Sequence, residues 1–368
     1  MECVAEPKAV LETPLKFEKG VNSVEVRYHP EFGSHSDLLL LELPDYLLPD
    51  LLHQSICLRG EPNEDAVLCT TSKTFSLKTV STSNSVYLIP PSPNPAVAPV
   101  IKLAETSMEL HAVAPRLDKL RKLLSQRPYT PNEEPTTQEL FRWEDLTQLI
   151  QASDDELKGG LESFSAVEID GYWRLVDQNY TDYMLSMLIN NAVLNDWSLN
   201  ELGEDDVVSA LASDGVSATM ALHLLRVFGR KRCDSDVKWR VDERSVCVHY
   251  AHQVLRSGKR KAEVFMEEWR RKLPEGMRPT FEMLEGEVLM ERIGAEKWVR
   301  SFSVSCLPSD PADRFSVLFK ESSKWEWKDL NPYVRDLSVP GISAEGLLVK
   351  YTRKSQASPE AEPIYTLR

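Results

Sequence analysis

The sequence has no GxxxxGKS phosphate loop, no GxGxxG after a strand, no HExxH and no GxSxG. These absences remove the usual spacings that cradle phosphate, hold catalytic zinc or activate a serine, and point away from an enzyme. Cysteine is sparse and scattered: Cys3, Cys57, Cys69, Cys233, Cys247 and Cys306 form no CxxC pair. That spacing argues against structural zinc and suits thiols kept reduced. Cys57 and Cys69 fall inside strand-like segments, where a thiol acts as a small apolar filler. No apolar run approaches the roughly 20 residues needed to cross a bilayer. The first residues, MECVAEPKAVLE, are acidic and lack an arginine-led apolar stretch. They resemble neither a secretory signal nor a mitochondrial presequence, so a cytosolic or nuclear location is expected.

What is present is a globular composition with segregated charge. A chain of 368 residues with 42% hydrophobic and 27% charged residues suits two to four domains. The net charge of −14 hides opposed regions, with −16 over residues 128–222 and +7 over residues 223–272. Such segregation fits one face that repels DNA or meets a basic protein, and another that can meet phosphate.

From Asp37 to Pro90 the segments DLLLLELP, SICLRG, AVLCTT, KTFSLKTV and SVYLIP are bounded by turn residues, the signature of short sheet strands. In KTFSLKTV, Phe75 and Leu77 share one face while Lys73, Ser76 and Lys78 mostly take the other. PPSPNPAVAP reads as a proline-rich loop and VIKLAETSMELHAV as a closing strand, giving a β domain over residues 20–114. From Arg116 the period changes to 3.6, and Leu117, Leu120, Leu123 and Leu124 make an amphipathic stripe. FRWEDLTQLIQ and DDELKGGLESF follow as helices, the latter with Ser153 and Glu156 as a capping box. AVEI and YWRLV, joined by Asp170-Gly171, read as a hairpin. Three helices and a hairpin make a winged-helix arrangement over residues 116–178, and a second set occupies residues 179–242. A third region, residues 243–368, holds one such module or two, over 243–306 and 308–368. The expected fold class is α+β, a β-barrel-like domain followed by tandem winged helices.

A winged helix meets DNA through its third helix and its wing. On that pattern the candidate DNA-binding residues are Arg226 with Arg230, Lys231 and Arg232; Lys259, Arg260 and Lys261, with Arg256 beside them; and Lys350, Arg353, Lys354 and Arg368. Lys350, Arg353 and Lys354 stand at i, i+3 and i+4, as though on one face of a third helix. The competing reading is ordinary solvated charge at helix ends. No base-reading pattern accompanies the clusters, so weak, salt-sensitive, sequence-independent backbone binding is expected. DDELKGGLES is acidic and suits a protein partner. His249 and His252 near Cys247 look superficially like ligands, but without a second pair at metal spacing they read as surface or core residues. Trp143, Tyr172, Trp173, Trp197, Trp239, Trp269, Trp298, Trp325 and Trp327 read as packing between helix and hairpin rather than base-stacking platforms. No catalytic residue, metal or cofactor is expected.

The order LRG, AVLCT and SKTFSLKTVSTSN, followed by LDKLRKLL, IQASDDELKGGL, GYWRL, LPEGM, DRFSVLF and NPYVRDL, resembles the DCC family of sister chromatid cohesion proteins. Members of that family are non-catalytic subunits of an alternative replication factor C clamp loader. The resemblance implies a nuclear adaptor in DNA replication and cohesion, supporting loading of the clamp PCNA. It implies a β domain completed by the small chromosome transmission fidelity subunit and the C-terminal tail of the large ATPase subunit. It also implies docking on the catalytic part of polymerase epsilon and three winged helices. Partner contacts are carried onto the matched β segment, at Arg59, Lys73, Phe75, Lys78 and Asn84. The alternative from a different class is a free winged-helix transcription regulator.

Overall fold

A computed structural model describes residues 24–368 except 36, 54–55, 92, 94–95, 132–137, 232–236, 338–342, 357 and 359–360. The chain divides into two compact units. One runs up to Val113 and includes Gln151–Asp155; the other takes Ala114–Ile150 and Glu156–Arg368.

The first unit is built on strands β1 (Glu25–Tyr28), β2 (Leu41–Glu42), β3 (Cys57–Arg59), β4 (Val67–Cys69), β5 (Thr74–Leu88), β6 (Val97–Val100) and β7 (Lys102–Val113). The short helix α1 spans Leu48–His53. Five strands form one sheet in the order β2-β7-β5-β4-β3, while β1 and β6 pair in parallel as a separate ribbon. The long antiparallel pair β5–β7 slips register between Ser81 and Val86, which bends the sheet. Phe75 is fully buried with Leu47 and Leu68, and Leu41, Leu77, Leu110 and Ala112 pack around them. Among the described residues the sheet does not close into a barrel: β2 and β3 are its edges.

Three sequence expectations change here, the first being that KTFSLKTV and SVYLIP, read as separate strands, form the single strand β5. Of DLLLLELP only Leu41–Glu42 is strand, and the chain then enters a 3-10 turn at Asp45–Leu47 and α1. Pro44 accounts for the break, because it has no amide to give the ladder and its carbonyl instead accepts from Leu47 N at 2.9 Å. Part of the proline-rich segment is strand β6, with Pro99 on a two-stranded ribbon where a missing donor is tolerated.

The second unit repeats one order of elements. The first set is α2 (Leu117–Leu124), α3 (Trp143–Leu149), α4 (Asp154–Ser163, whose first two residues belong to the first unit), β8 (Val167–Ile169) and β9 (Tyr172–Arg174). Phe141 bridges Trp173, so the extended residue before α3 lies beside β9. Asp170 and Gly171 turn the hairpin with φ of 52° and 81°, a conformation glycine adopts without strain.

The second set is α5 (Gln178–Leu194), β10 (Leu202–Gly203), α6 (Glu204–Ser213), α7 (Ala218–Phe228), β11 (Gly229–Lys231) and β12 (Lys238–Val241), with sheet order β10-β12-β11. The third is α8 (Glu243–Leu255), β13 (Arg260–Lys261), α9 (Ala262–Lys272), a 3-10 turn at Phe281–Leu284, β14 (Val288–Ile293) and β15 (Glu296–Ser301), ordered β13-β15-β14. The fourth is α10 (Pro311–Glu321), β16 (Trp325–Glu326), α11 (Trp327–Leu330), α12 (Ala344–Tyr351), β17 (Thr352–Ser355) and β18 (Ile364–Leu367), ordered β16-β18-β17. In these three sets the last strand lies between the other two.

Local chemistry starts the helices. Asp177 accepts from the amides of Asn179 and Tyr180, Ser217 from Met220, Asp310 from Asp313 ahead of Pro311, and Ser343 from Gly346. Each side chain satisfies a backbone donor that the helix itself cannot pair. The apolar stripe of α7, including Met220, Leu224, Leu225 and Phe228, joins Met184 and Leu188 of α5 and Leu211 of α6 in one core. Phe265 and Trp269 anchor the third set, and the Trp269 indole donates to the Cys247 carbonyl at 2.8 Å. In the fourth, the buried Arg314 guanidinium donates to the carbonyls of Pro308 and Tyr333 and pairs with Asp336. This is the satisfaction a buried cation requires.

Candidate nucleic-acid interface

The cationic residues of the second set lie where α7 runs into the β11–β12 hairpin. Arg226 occupies the last exposed turn of α7. Arg230 of β11 donates to Asp242 Oδ2 from Nε at 3.0 Å and from Nη2 at 2.8 Å. Burial would raise the Asp242 carboxyl, but the Ser245 hydroxyl and Arg230 hold it below the usual range. Lys231 pairs with Glu204 at 2.8 Å, its ammonium 4.7 Å from the centre of the Trp239 ring. Hydrogen bonds from Lys231 and the Trp239 indole hold the Glu204 carboxyl low. Arg232 lies outside the described residues.

Sequence reasoning did not single out Arg240. It is exposed on β12 directly opposite Arg230, and two like charges so placed repel unless a counter-ion intervenes. Asp242 supplies part of that; a phosphate would supply more. The alternation in KWRV, with Trp239 buried and Arg240 out, was the signal available.

In the third set Lys259 stands 5.6 Å from the centre of the Trp298 ring, Arg260 reaches Ser257 and Glu268, and Lys261 pairs with Glu296 at 2.5 Å. Arg256 is bound to Asp182 at 2.6 Å and 3.0 Å. The element in the third-helix position is a single 3-10 turn carrying Glu282, so no long basic helix stands there.

The fourth set overturns one expectation. Lys350 is in the last turn of α12, but Arg353 and Lys354 are in strand β17 and do not share a helix face with it. The helix stops because Thr352 turns extended, its hydroxyl donating to the Leu348 carbonyl at 2.6 Å, and Thr352–Ser355 then pairs with β18. Adjacent strand residues point to opposite faces, so Arg353 and Lys354 diverge. Among the described residues neither these two nor Lys350 is in an ion pair. Arg368 returns beside the helix end, its guanidinium donating to the Val349 carbonyl at 3.1 Å.

The residues assigned to partners also separate. Phe75 is core and Arg59 is buried, its guanidinium donating to the Ala152 carbonyl and pairing with Asp154. Both serve the first unit's own packing. Lys73, Lys78 and Asn84 are exposed.

The histidines and acids outside these clusters have structural surroundings. His249 Nε2 stands 2.6 Å from Asp182 Oδ1, and burial pulls the imidazole below its ordinary pKa despite that carboxylate. His252 Nε2 lies 3.0 Å from Glu287 and its Nδ1 3.3 Å from the Ser301 hydroxyl. Among the described residues no group of three or more His, Cys, Asp or Glu is placed to hold a metal, and no helix is long and apolar enough to cross a membrane. Of the tryptophans, Trp239, Trp269 and Trp325 are buried.

Residues 38–334, from the first unit into the fourth set, match the family described as sister chromatid cohesion protein Dcc1. The chain belongs to that family. Among Dcc1 relatives, the sister chromatid cohesion protein DCC1 of Danio rerio is 32% identical over 353 residues, covering 90% of this chain and 90% of the relative. That of Homo sapiens is 30% identical over 338 residues, covering 87% and 86%. The probable sister chromatid cohesion protein DCC1 of Dictyostelium discoideum is 24% identical over 362 residues, covering 90% and 94%.

Proposed function

We propose that this chain is a non-catalytic adaptor subunit of an alternative replication factor C clamp loader, working in the nucleus in sister chromatid cohesion. The observation that carries the reading is the Dcc1 family match over residues 38–334. The first unit assembles with the small chromosome transmission fidelity subunit and the C-terminal tail of the large ATPase subunit. Its open sheet supports this, since edge strands offer unpaired backbone donors and acceptors to an added strand. The second unit is a tandem of winged helices, four by the recurrence of elements. The last two divide residues 243–368 near 307.

The first unit and the first winged helix dock on the catalytic part of polymerase epsilon, and the later winged helices meet DNA without sequence preference, so that the chain supports PCNA loading. Lys350, Arg353 and Arg226, with Arg240, are the cations best placed to meet phosphate. The surroundings of Lys231, Arg260 and Lys261, each already opposite a carboxylate, argue for smaller parts. ATP turnover belongs to other subunits.

The test is co-expression of the full chain with the small subunit and the tail of the ATPase subunit. The three are expected to co-elute as one complex. A chain that elutes alone, monodisperse and stable, overturns the reading. A tight, reproducible site from random-sequence DNA selection would instead establish a free transcription regulator.

A further inference from the structure

Cys57 and Cys69 are directly opposite each other in the antiparallel pair β3–β4, so both side chains leave the same face of the sheet. Opposed residues in such a pair have Cβ atoms about 4.5–5.5 Å apart. A modest closing motion brings that spacing to what a disulfide needs. Both are free thiols, but their access differs: Cys57 is exposed on the edge strand and Cys69 is fully buried. Cys57 Sγ lies 3.9 Å from the Cys69 carbonyl oxygen, and Cys69 Sγ lies 3.7 Å from Thr74 Oγ1. Arg59, two residues along β3, puts a buried cation on the same face.

These neighbours separate the two sulfurs chemically. Hydrogen bonding from the Cys69 thiol, aided by the Arg59 charge, lowers Cys57 from its ordinary value to about 6 against the pull of burial. The Cys57 thiolate and burial push Cys69 well up. The shift favours the Cys57 thiolate at neutral pH, and the weaker intrinsic nucleophilicity of a low-pKa thiol offsets only part of that gain.

We propose that Cys57 and Cys69 form a peroxide-sensitive thiol pair, in which Cys57 is the reacting sulfur and Cys69 resolves it. The Cys57 thiolate attacks a hydroperoxide oxygen; an S–O bond forms, the O–O bond breaks, and the alkoxide or hydroxide leaves and takes a proton. Sulfur is oxidised by two electrons and the peroxide is reduced. The Cys69 sulfur then attacks the sulfenic sulfur, an S–S bond forms, the S–O bond breaks, and hydroxide departs as water with the Cys69 proton. Burial of Cys69, which persists after Cys57 is oxidised, makes the second step the slow one, so sulfenic acid builds up before the disulfide. The finished bond staples the edge strand β3 to β4.

The full-length chain treated with hydrogen peroxide, alkylated and mapped by mass spectrometry tests this. The expected product is a Cys57–Cys69 linked peptide. In Cys69→Ser, oxidation stops at a Cys57 sulfenic acid that dimedone traps. Cys306, also exposed, serves as the internal reference, and Cys57 of the untreated wild type is alkylated faster than it. Equal oxidation and alkylation of Cys57 and Cys306 without the linked peptide overturns the proposal, as does a disulfide joining Cys57 to any other cysteine.

Discussion

The two units bury their apolar side chains very differently. Among the described residues, the core cluster of the first unit centres on Leu47, Leu68 and Phe75, while Val26, Tyr28, Leu39 and Leu58 are exposed by 59%, 71%, 66% and 67%. Among the described residues, the second carries large clusters that each spread over several helices and a sheet. Its most exposed apolar residues, such as Val193 and Leu194, are few for its length. A thin core under a wide apolar surface is what the proposed association of the first unit would complete, whereas the repeated helical sets bury large cores of their own. This contrast supports the division of labour in the proposed adaptor.

Phe75→Ala strikes the thin core and carries the largest expected effect. Removing a fully buried phenyl ring costs about 3–5 kcal/mol, enough to unfold a unit whose described core centres on it. Hydrogen exchange should lose protection over β4, β5 and β7 while α5, α7 and α8 keep theirs. Loss in both regions would erase the contrast. A pH titration sharpens it next. His223 in α7 is buried, and that burial, with the Arg226 charge, lowers its pKa from 6.5 to about 4. A depressed histidine favours the neutral form when folded, so its contribution is full above about pH 6.5 and declines as pH falls toward 4. The loss approaches roughly 3 kcal/mol for the second unit. In urea melts His223→Leu should flatten the pH dependence between 6.5 and 4; an unchanged slope would mean other groups set it. The smallest effect is expected from the triple variant Lys350→Glu, Arg353→Glu, Lys354→Glu. Because Arg353 and Lys354 diverge, at most two of the three can share a phosphate-facing side. The salt slope of DNA affinity should therefore fall by about 2 rather than 3, with folding unchanged by circular dichroism. An unaltered affinity would remove these residues from the interface.

Much of the second unit could be read from sequence because its signals are local. The Asp170-Gly171 turn, the apolar stripe from Leu117 to Leu124 and the switch from stripe to hairpin all lie within a few residues of what they control. Failures came where a distant partner decides. Lys350, Arg353 and Lys354 have helical spacing, but β18, about ten residues further on, captures Thr352–Ser355 into a ladder. Lys231 and Lys261 read as free cations, yet Glu204 and Glu296, 27 and 35 residues away, stand opposite them. Arg59 reads as a partner contact in the sequence, yet the Ala152 carbonyl and Asp154 take its donors. In the β region, turn residues located β3, β4 and β7, but they split β5 in two, overextended β2 and hid β6 in a loop, and strand pairing stayed undetermined because sheet order is a non-local property.

The Tyr333 hydroxyl donates to the Val288 carbonyl at 2.6 Å, and Leu289 of β14 belongs to the cluster that holds Phe315 and Leu318 of α10. The last two repeats are thus sewn together by a phenol and a leucine. Cutting the chain near Leu307 would strand a buried hydroxyl on one fragment and bare a greasy strand on the other, so this pair should melt, exchange and resist proteases as one body.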